Sequence, residues 1–321
     1  MHVMISKMNK NSMINGVINI YKDKGFTSHD VVAKLRGIMR QKKIGHTGTL
    51  DPDATGVLPV CLGSATKLCD MLTDKEKEYI AEVRLGVVTD TQDMTGTVLE
   101  KSEVSVTEAE VTEVIQSFVG HYDQIPPMYS ALKVNGKKLY ELAREGKEIE
   151  RKARPVRIHY IEIMDMSLPQ ITIKVGCSKG TYIRTLCHDI GNKLGCGAAM
   201  ASLERTKSGQ FSLDTTVTLA ELEEKLKDAG ESREAVLQSL VIPVDKMFYQ
   251  LQELRLFPEW ERLVQNGNSF EEKNVRKEFQ NMDRMNQTQY RVYIGENNFM
   301  GIYEYRKSEH RFVPVKMFIN Q

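Results

Sequence analysis

The sequence lacks the features that define three large classes of protein. No apolar run approaches the roughly 20 residues that a membrane-spanning helix needs. Residues 1–16 contain neither the apolar stretch nor the small-residue cleavage site of an export signal. The five cysteines are an odd number, and no two of them form a CxxC pair, which argues against a disulfide framework and a structural zinc site. We therefore expect a cytoplasmic protein with reduced thiols.

Net charge is also nearly absent, since 44 Lys and Arg residues stand against 43 Asp and Glu residues. Along the chain, however, the sign of the charge changes. Residues 1–70 and 133–210 carry net charges of +5 and +7, whereas residues 71–132 and 211–321 carry −8 and −3. Two interpretations remain open here. The basic segments could form a stripe that binds a polyanion, or the charge of solvated surfaces could simply vary.

The hydrophobic pattern predicts strands and helices without a regular βαβ alternation. Ser28 is predicted to cap a helix, and an Asn-Gly turn at 135–136 leads into another helix. Two further helices are predicted at 107–119 and 181–195. The predicted strands are 16–22, 57–63, 79–86, 154–165 and 171–177. This mixture favours an α+β fold around a mixed sheet.

A second, smaller unit is predicted after about residue 245. Residues 246–289 are polar and irregular in pattern, whereas 290–295, 299–306 and 311–318 alternate as short strands. Short strands joined by tight polar turns are typical of a small β-barrel or sandwich. The sequence therefore predicts two units, with the boundary near residue 245.

The loop GHTGTLDPDATG, residues 45–56, concentrates Gly, Thr and Asp around one proline. A calcium loop would need a glutamate at its twelfth position, which is Leu62 here. The sequence also has no GxSxG elbow and no full glycine pattern of a dinucleotide or phosphate site. A tight turn with local side-chain bonds would explain the Gly and Thr residues. It would not explain Asp51, which Pro52 keeps out of the helical region, as a positioned catalytic carboxylate requires.

Four segments that include this loop carry a resemblance to a known family. They are GHTGTLDPDATGVLPVCLGSATK (45–67), KEYIAEVRLGVVTDTQDMTG (77–96), IPPMYSALKVNGKKLYELAREG (125–146) and CSKGTYIRTLCHDIGNKLG (177–195). In this order they resemble the motifs of the TruB family of pseudouridine synthases, which modify the T-arm of tRNA. The C-terminal segment GENNFMGIYEYRKSEHRFVPVKMF resembles the small RNA-binding PUA domain.

The resemblance implies an α+β catalytic domain with a mixed, largely antiparallel sheet at residues 1–245, of which we expect 1–15 to be flexible. It implies a PUA-like, β-barrel-like RNA-binding domain at 246–321. The implied activity is isomerisation of uridine to pseudouridine at position 55, in the T-loop of tRNA, without a cofactor or metal. The implied partner is the T-arm stem-loop of tRNA, and we expect a cytoplasmic monomer with no membrane contact and no obligate protein partner. If the second unit only binds tRNA, a chain that ends near residue 245 should still convert uridine to pseudouridine in a minimal T-arm stem-loop.

The resemblance also assigns roles to six residues. Asp51 corresponds to the catalytic aspartate, and Arg184 to its basic partner. Four further residues correspond to the binding site of the flipped base: the stacking aromatic Tyr79, a second pocket tyrosine Tyr182, the apolar wall Leu203, and His46, which fills the place left in the RNA loop. Ordinary structural roles remain open for these residues, such as core packing for Tyr79 and Leu203 and a surface charge for Arg184. The family often has Lys-Pro near the first strand, whereas here Asp23 follows Lys22.

The chemistry explains why such residues are needed. Pseudouridine formation detaches uracil N1 from ribose C1′, turns the base and joins C5 to C1′, so nothing is oxidised and nothing leaves. A carboxylate near C1′ and C2′ can attack as a nucleophile or remove a proton, and an aromatic ring can hold the detached base. An arginine beside a desolvated carboxylate keeps it ionised and oriented. Two alternatives stay open: a tRNA-binding folding chaperone and a guide-RNA-dependent synthase of the related branch.

Overall fold

Two β-sheets organise the chain in the computed structural model, which describes residues 13–134, 136–279, 285 and 287–319. Most of the segment expected to be flexible, residues 1–12, lies outside the described residues, as does Asn135 of the predicted turn. Ile14 is held by Gln41, whose side-chain oxygen accepts from the Ile14 amide at 3.0 Å. Asn15 is held as well, because its side-chain oxygen accepts from the Ser64 amide at 2.7 Å.

The larger sheet and its two flanking hairpins occupy the first three quarters of the chain. Their strands are β1 (Gly16–Lys22), β2 (Ile44–His46), β3 (Thr55–Leu62), β4 (Lys77–Leu85), β5 (Val87–Thr89), β6 (Val98–Lys101), β7 (Gly120–Gln124), β8 (Lys133–Val134), β9 (Lys137–Lys138), β10 (Arg154–Ser167), β11 (Gln170–Cys177), β12 (Ala198–Ser208), β13 (Phe211–Ser212), β14 (Val217–Thr218) and β15 (Val241–Ile242). The main path of the sheet runs β14-β1-β3-β12-β4-β11-β10-β7, and β2, β13 and β15 pair beside it. Only the β1–β14 and β3–β12 pairs among the described strands of this sheet are parallel. The expected mixed, largely antiparallel sheet is confirmed.

Eight α-helices accompany the sheets within the described residues. They are α1 (Ser28–Met39), α2 (Cys69–Thr73), α3 (Glu108–Gln116), α4 (Leu139–Arg144), α5 (Ile183–Leu194), α6 (Leu219–Asp228), α7 (Arg233–Leu240) and α8 (Glu261–Gln265). The predicted N-cap of α1 is wrong by one residue. Thr27 caps the helix, because its side chain accepts from the Asp30 amide and the Asp30 carboxylate accepts from the Thr27 amide.

The central strand β12 has no counterpart among the predicted strands. Its sequence, AAMASLERTKS, mixes small, charged and apolar residues without a clean alternation. It nevertheless lies between β3 and β4 in the middle of the sheet. This position matters for the site, because Leu203 and Arg205 both lie on β12.

The C-terminal sheet has five strands in the order β16-β18-β19-β20-β17. They are β16 (Gln252–Leu256), β17 (Phe270–Glu271), β18 (Gln289–Ile294), β19 (Asn298–Arg306) and β20 (Arg311–Met317). The three predicted strands are confirmed, but the expectation that 246–289 is irregular is wrong, since β16, α8 and β17 lie there. The fold class is confirmed, and the open sheet fits a PUA-like half-barrel. The domain boundary near residue 245 stays a prediction.

A hydrophobic cluster joins the two sheets. Strands β1 and β3 contribute Val17, Val57 and Cys61, which are fully buried. The connection between the sheets contributes Met247 and Phe248, and the C-terminal sheet contributes the residues Phe299, Ile302 and Phe318. Strand β3 follows the Asp51 loop, and the face of β3 that carries Val57 and Cys61 is therefore covered by the C-terminal sheet.

Candidate active site

The backbone on both sides of Asp51 is held by side chains from other elements. Before it, the Leu50 amide donates to the Ser28 hydroxyl at 2.9 Å. After it, the Pro52 carbonyl accepts from the Lys22 ammonium at 3.0 Å. Ser28 and Lys22 are both fully buried. The carboxylate is therefore presented by a loop with little freedom to move.

Arg184 connects Asp51 to a second carboxylate. Its Nε lies 3.1 Å from Asp51 Oδ2, and its Nη1 lies 3.5 Å from Asp93 Oδ2. The guanidinium also donates to the carbonyls of Thr91 at 3.1 Å and Tyr129 at 2.7 Å. The Arg184 side chain is 7% exposed, whereas that of Asp51 is 43% exposed. The arginine is thus fixed from four directions, and the carboxylate that it holds remains open to a ligand.

The pKa of Asp51 is raised above its ordinary value. Desolvation by the surrounding protein is the largest cause, and the attraction of Arg184 opposes it. The negative charge of Asp93 raises the pKa further. The expected combination of a desolvated carboxylate with a guanidinium is therefore present, and desolvation outweighs the ion pair.

Tyr79 and Arg205 form a pair beneath the same loop. They lie directly opposite each other on β4 and β12, and both are buried. Arg205 donates from Nε to the Val57 carbonyl at 2.7 Å and from Nη2 to the Gly48 carbonyl at 3.1 Å. Burial raises the pKa of Tyr79, and the positive charge of Arg205 opposes part of this rise. A buried cation therefore lies directly opposite the tyrosine in the sheet.

The last two residues of the predicted base pocket are Tyr182 and Leu203. Tyr182 is close to Arg184 in sequence, and Leu203 is close to Tyr79 in the core. Tyr182 is half-buried and directly precedes α5, and its amide donates to the Gln124 side-chain oxygen at 2.7 Å. Leu203 is half-buried and packs against the hydrophobic cluster that contains Tyr79. The structure therefore brings Leu203 to the same cluster as Tyr79 and places Tyr182 two residues before Arg184.

His46 lies on β2, at the start of the loop. Burial is the main cause that lowers its pKa to about 4, so its imidazole is neutral near pH 7. Its ring meets that of His29 edge to face, with 5.2 Å between the ring centroids. His46 Nδ1 is buried and has no hydrogen-bond partner within the described part of the chain. These contacts show no bond from His46 to Asp51.

Known families and proteins account for most of the chain. Residues 36–183 match the N-terminal domain of the TruB family of pseudouridylate synthases, and residues 184–249 match the C-terminal domain of tRNA pseudouridylate synthase B. A relative named tRNA pseudouridine synthase B from Lachnoclostridium phytofermentans is 52% identical over 95% of this chain and 100% of its own. The chain belongs to the TruB family. A relative of the same name from Clostridium tetani is 44% identical, again over 95% of this chain and 100% of its own.

Solved structures of the wider family share the fold. A Cbf5-Nop10-Gar1 complex contains a chain that is 27% identical, with a TM-score of 0.68, over 95% of this chain and 85% of that one. A ribonucleoprotein of the H/ACA class, bound to a substrate RNA containing 2′-deoxyuridine, contains one that is 26% identical, with a TM-score of 0.67 and the same coverage. The fold of this TruB family member is therefore shared with both solved chains over 95% of its length.

Sequence reasoning missed three residues of the site. Asp93 lies in the family-like segment 77–96, but the resemblance assigned it no role. Lys22 ends an apolar strand, and a lysine at a predicted core position was the available signal. Arg205 gave no signal because β12 was not predicted. Among the described residues, no group of three or more His, Cys, Asp or Glu side chains could hold a metal ion.

Proposed function

We propose that this protein isomerises the T-loop uridine at position 55 of tRNA to pseudouridine, with Asp51 as the catalytic carboxylate. The observation that carries this proposal is the ion pair of Asp51 with Arg184, which fixes one carboxylate oxygen while the side chain stays 43% exposed. Family membership supplies the reaction, and the names of the bacterial relatives supply tRNA as the substrate.

The site residues divide the work of the reaction. The target base is paired within the folded tRNA, so it must be flipped into the site. The neutral ring of His46, at the start of the Asp51 loop, then fills the place that the flipped base leaves in the tRNA. Tyr79 stacks on the base and Leu203 closes an apolar wall, which keeps the detached uracil in place. Tyr182 contributes a second pocket aromatic. Asp51, whose ionised form is paired with Arg184, then acts on C1′ or C2′ of the ribose.

The proposed reaction needs no cofactor, because the atoms and electrons of the substrate are conserved in the product. We propose that the protein works as a monomer in the cytoplasm, with residues 246–321 as an RNA-binding domain. No helix among the described residues is long and apolar enough to cross a membrane. The guide-RNA-dependent alternative is less well supported, since the bacterial tRNA pseudouridine synthases are 44–52% identical and the chains from the two solved complexes are 26–27% identical.

The test uses unmodified tRNA transcripts that carry tritium at uridine C5. Isomerisation replaces the C5–H bond by a C5–C1′ bond, so each turnover releases tritium into water. We expect release equal to one uridine per tRNA, pseudouridine mapped to position 55, and no release from a transcript with cytidine at that position. A folded, tRNA-binding protein that releases no tritium would favour the chaperone alternative.

A further inference from the structure

Arg205 has an unusual environment for a buried charge. Its side chain is among the largest fully buried ones, yet no carboxylate lies within ion-pair distance of it in the part of the chain that the structure describes. It donates to the carbonyls of Val57 and Gly48, and Tyr79 lies directly opposite it on β4. Burying a cation without an anion costs free energy, so a residue of this kind calls for a reason beyond packing.

Two further buried cations lie near it. Lys22 donates to the carbonyls of Phe26 and Pro52 at 2.6 and 3.0 Å, and Lys77 donates to those of Thr73 and Lys75, each at 2.5 Å. All of these bonds go to neutral oxygens. A side chain at Gly48 would meet both Arg205 Nη1, at 3.5 Å, and Lys77 Cε, at 3.9 Å. Three buried cations therefore lie beneath the Asp51 loop. Burial lowers the pKa of Lys22, and the nearby carboxylates of Asp51, Asp53 and Asp23 oppose part of this fall.

We propose that Arg205 is a positioning residue for the isomerisation. It acts through Tyr79 and stabilises the negative charge of the detached uracil. The inference rests on the proposed function. When the C1′–N1 bond breaks, its electron pair leaves on the base, whether Asp51 attacks C1′ or removes a proton from C2′. The base stays anionic until C5 bonds to C1′, which displaces the Asp51 carboxylate on the first route and lets Asp51 return the proton to C2′ on the second. The C5 proton is then lost and N1 gains a proton.

The cross-strand geometry links the charge to the base. Arg205 lies directly opposite Tyr79 on the neighbouring strand, and both are buried, so its positive charge acts on the ring on which the base stacks. The same guanidinium fixes Gly48 in the turn that precedes Asp51. A fixed cation in a water-poor site stabilises a developing anion without reorganisation, and removing one such group costs about 100- to 1,000-fold in rate.

The first test separates charge from packing with two variants, Arg205→Lys and Arg205→Met. Both lose the forked bonds to the two carbonyls, but only the lysine keeps the positive charge. For Arg205→Met we expect a fall of about 100-fold in the saturated single-turnover rate and little change in tRNA Kd. Arg205→Lys should retain at least about ten times more of the rate at a similar melting temperature. Equal losses in the two variants would overturn the electrostatic role.

The second test is a double-mutant cycle with Tyr79→Phe, which removes the hydroxyl and keeps the ring. If Arg205 acts through that hydroxyl, Tyr79→Phe should lower the rate at least about tenfold in the wild type and much less in Arg205→Met. Tyr182→Phe is the matched control, and its effect should be the same in both backgrounds. Independent effects of Tyr79→Phe and Arg205→Met would overturn the proposal.

Folding and function are checked separately. If the Arg205 variants do not fold, Tyr79→Phe alone still decides, because a rate equal to that of the wild type would contradict the coupling. If the wild-type protein releases no tritium from tRNA, the proposed function itself fails. A wild type that is active, with additive effects in the cycle, overturns only the role of Arg205.

Discussion

Strand β3 lies between two regions that are held in opposite ways. On one side, the loop that carries Asp51 is fixed by hydrogen bonds and by the buried cations Lys22 and Arg205. On the other side, the contact with the C-terminal sheet is formed mainly by apolar side chains. Val57 belongs to both, since its carbonyl accepts from Arg205 while its side chain is buried in the shared cluster.

The difference follows from what each region has to do. Hydrogen bonds and ion pairs are directional, so they can fix a carboxylate within the narrow limits that catalysis requires. Apolar burial is not directional, but it is the main source of stability. We therefore expect changes in the loop to lower the rate more than the stability, and changes in the shared cluster to do the reverse.

The largest effect is expected for Asp51→Asn. The amide keeps the shape of the side chain but can neither attack C1′ nor remove a proton, so the saturated single-turnover rate should fall at least about a thousand-fold. The tRNA Kd should stay nearly unchanged. Asp53→Asn is the matched control in the same loop and should be mild, because the ion pair of Asp53 with Lys24 is long, at 3.9 Å, and exposed. Turnover of Asp51→Asn near the wild-type rate would end the proposed mechanism.

A smaller effect on rate is expected for Asp93→Asn. Its Oδ1 could still accept from Thr95, but the second carboxylate partner of Arg184 would be lost. A misplaced Arg184 should lower the saturated rate about 10- to 100-fold, since small displacements at a reacting group are costly. Asp90→Asn is the control, because Asp90 lies in the same turn and accepts from the Thr97 amide instead. Equal rates for both variants would show that Asp93 does not support the site.

The same variant has a defined effect on pH dependence. Asp51 must be ionised to act, so the wild-type rate should fall as the pH drops through its raised pKa. Asp93 raises that pKa by repulsion, and the neutral amide removes this effect. The acid limb of the single-turnover rate should therefore move to lower pH in Asp93→Asn and remain in place in Asp90→Asn. A shift to higher pH would show that the loss of Arg184 orientation dominates.

The sequence could predict the carboxylate but not the network around it. Pro52 and three glycines mark Asp51 locally, because a rigid small-residue turn is visible in one stretch of sequence. Arg205 belongs to a strand whose alternation is broken by its functional residues, so no local pattern indicates it. Asp93 and Arg184 are brought into contact only by the order of the strands in the sheet, and a single sequence does not give that order. The shared cluster was hidden for the same reason, since its members from β1 and β3 lie more than 200 residues from those of the C-terminal sheet.

That cluster argues against the expectation that a chain ending near residue 245 works alone. Such a chain would lose Met247, Phe248 and Phe318 and would leave Val17 and Val57 uncovered. We expect it to be destabilised, so a point variant is the cleaner test of this region.

Phe318→Ala should destabilise the whole protein while sparing the chemistry. Phe318 is buried and packs on Phe248 and Phe299, with both ring centroids 5.7 Å away. Removing such a ring costs about 3–5 kcal/mol, so the melting temperature should fall clearly. The single-turnover rate at a temperature where the variant is folded should stay within about twofold of the wild type. Val315→Ala, at a half-exposed position of β20, should change neither quantity. If calorimetry showed two unfolding transitions and Phe318→Ala shifted only that of the C-terminal sheet, the two sheets would not share their stability.

The smallest effect is expected for Lys67→Met, which removes a polar contact between the two sheets. The Lys67 ammonium donates to the Met317 carbonyl at 2.8 Å, but the contact is exposed to solvent. Water can replace either partner, so the free energy of unfolding should change by about 1 kcal/mol or less. Arg311→Met is a useful control, because Arg311 pairs with Glu309 within the C-terminal sheet and does not reach the other sheet. If Lys67→Met lowered the melting temperature as much as Phe318→Ala, the contact between the sheets would depend on polar bonds, as the Asp51 loop does, and the contrast between the two sides of β3 would be wrong.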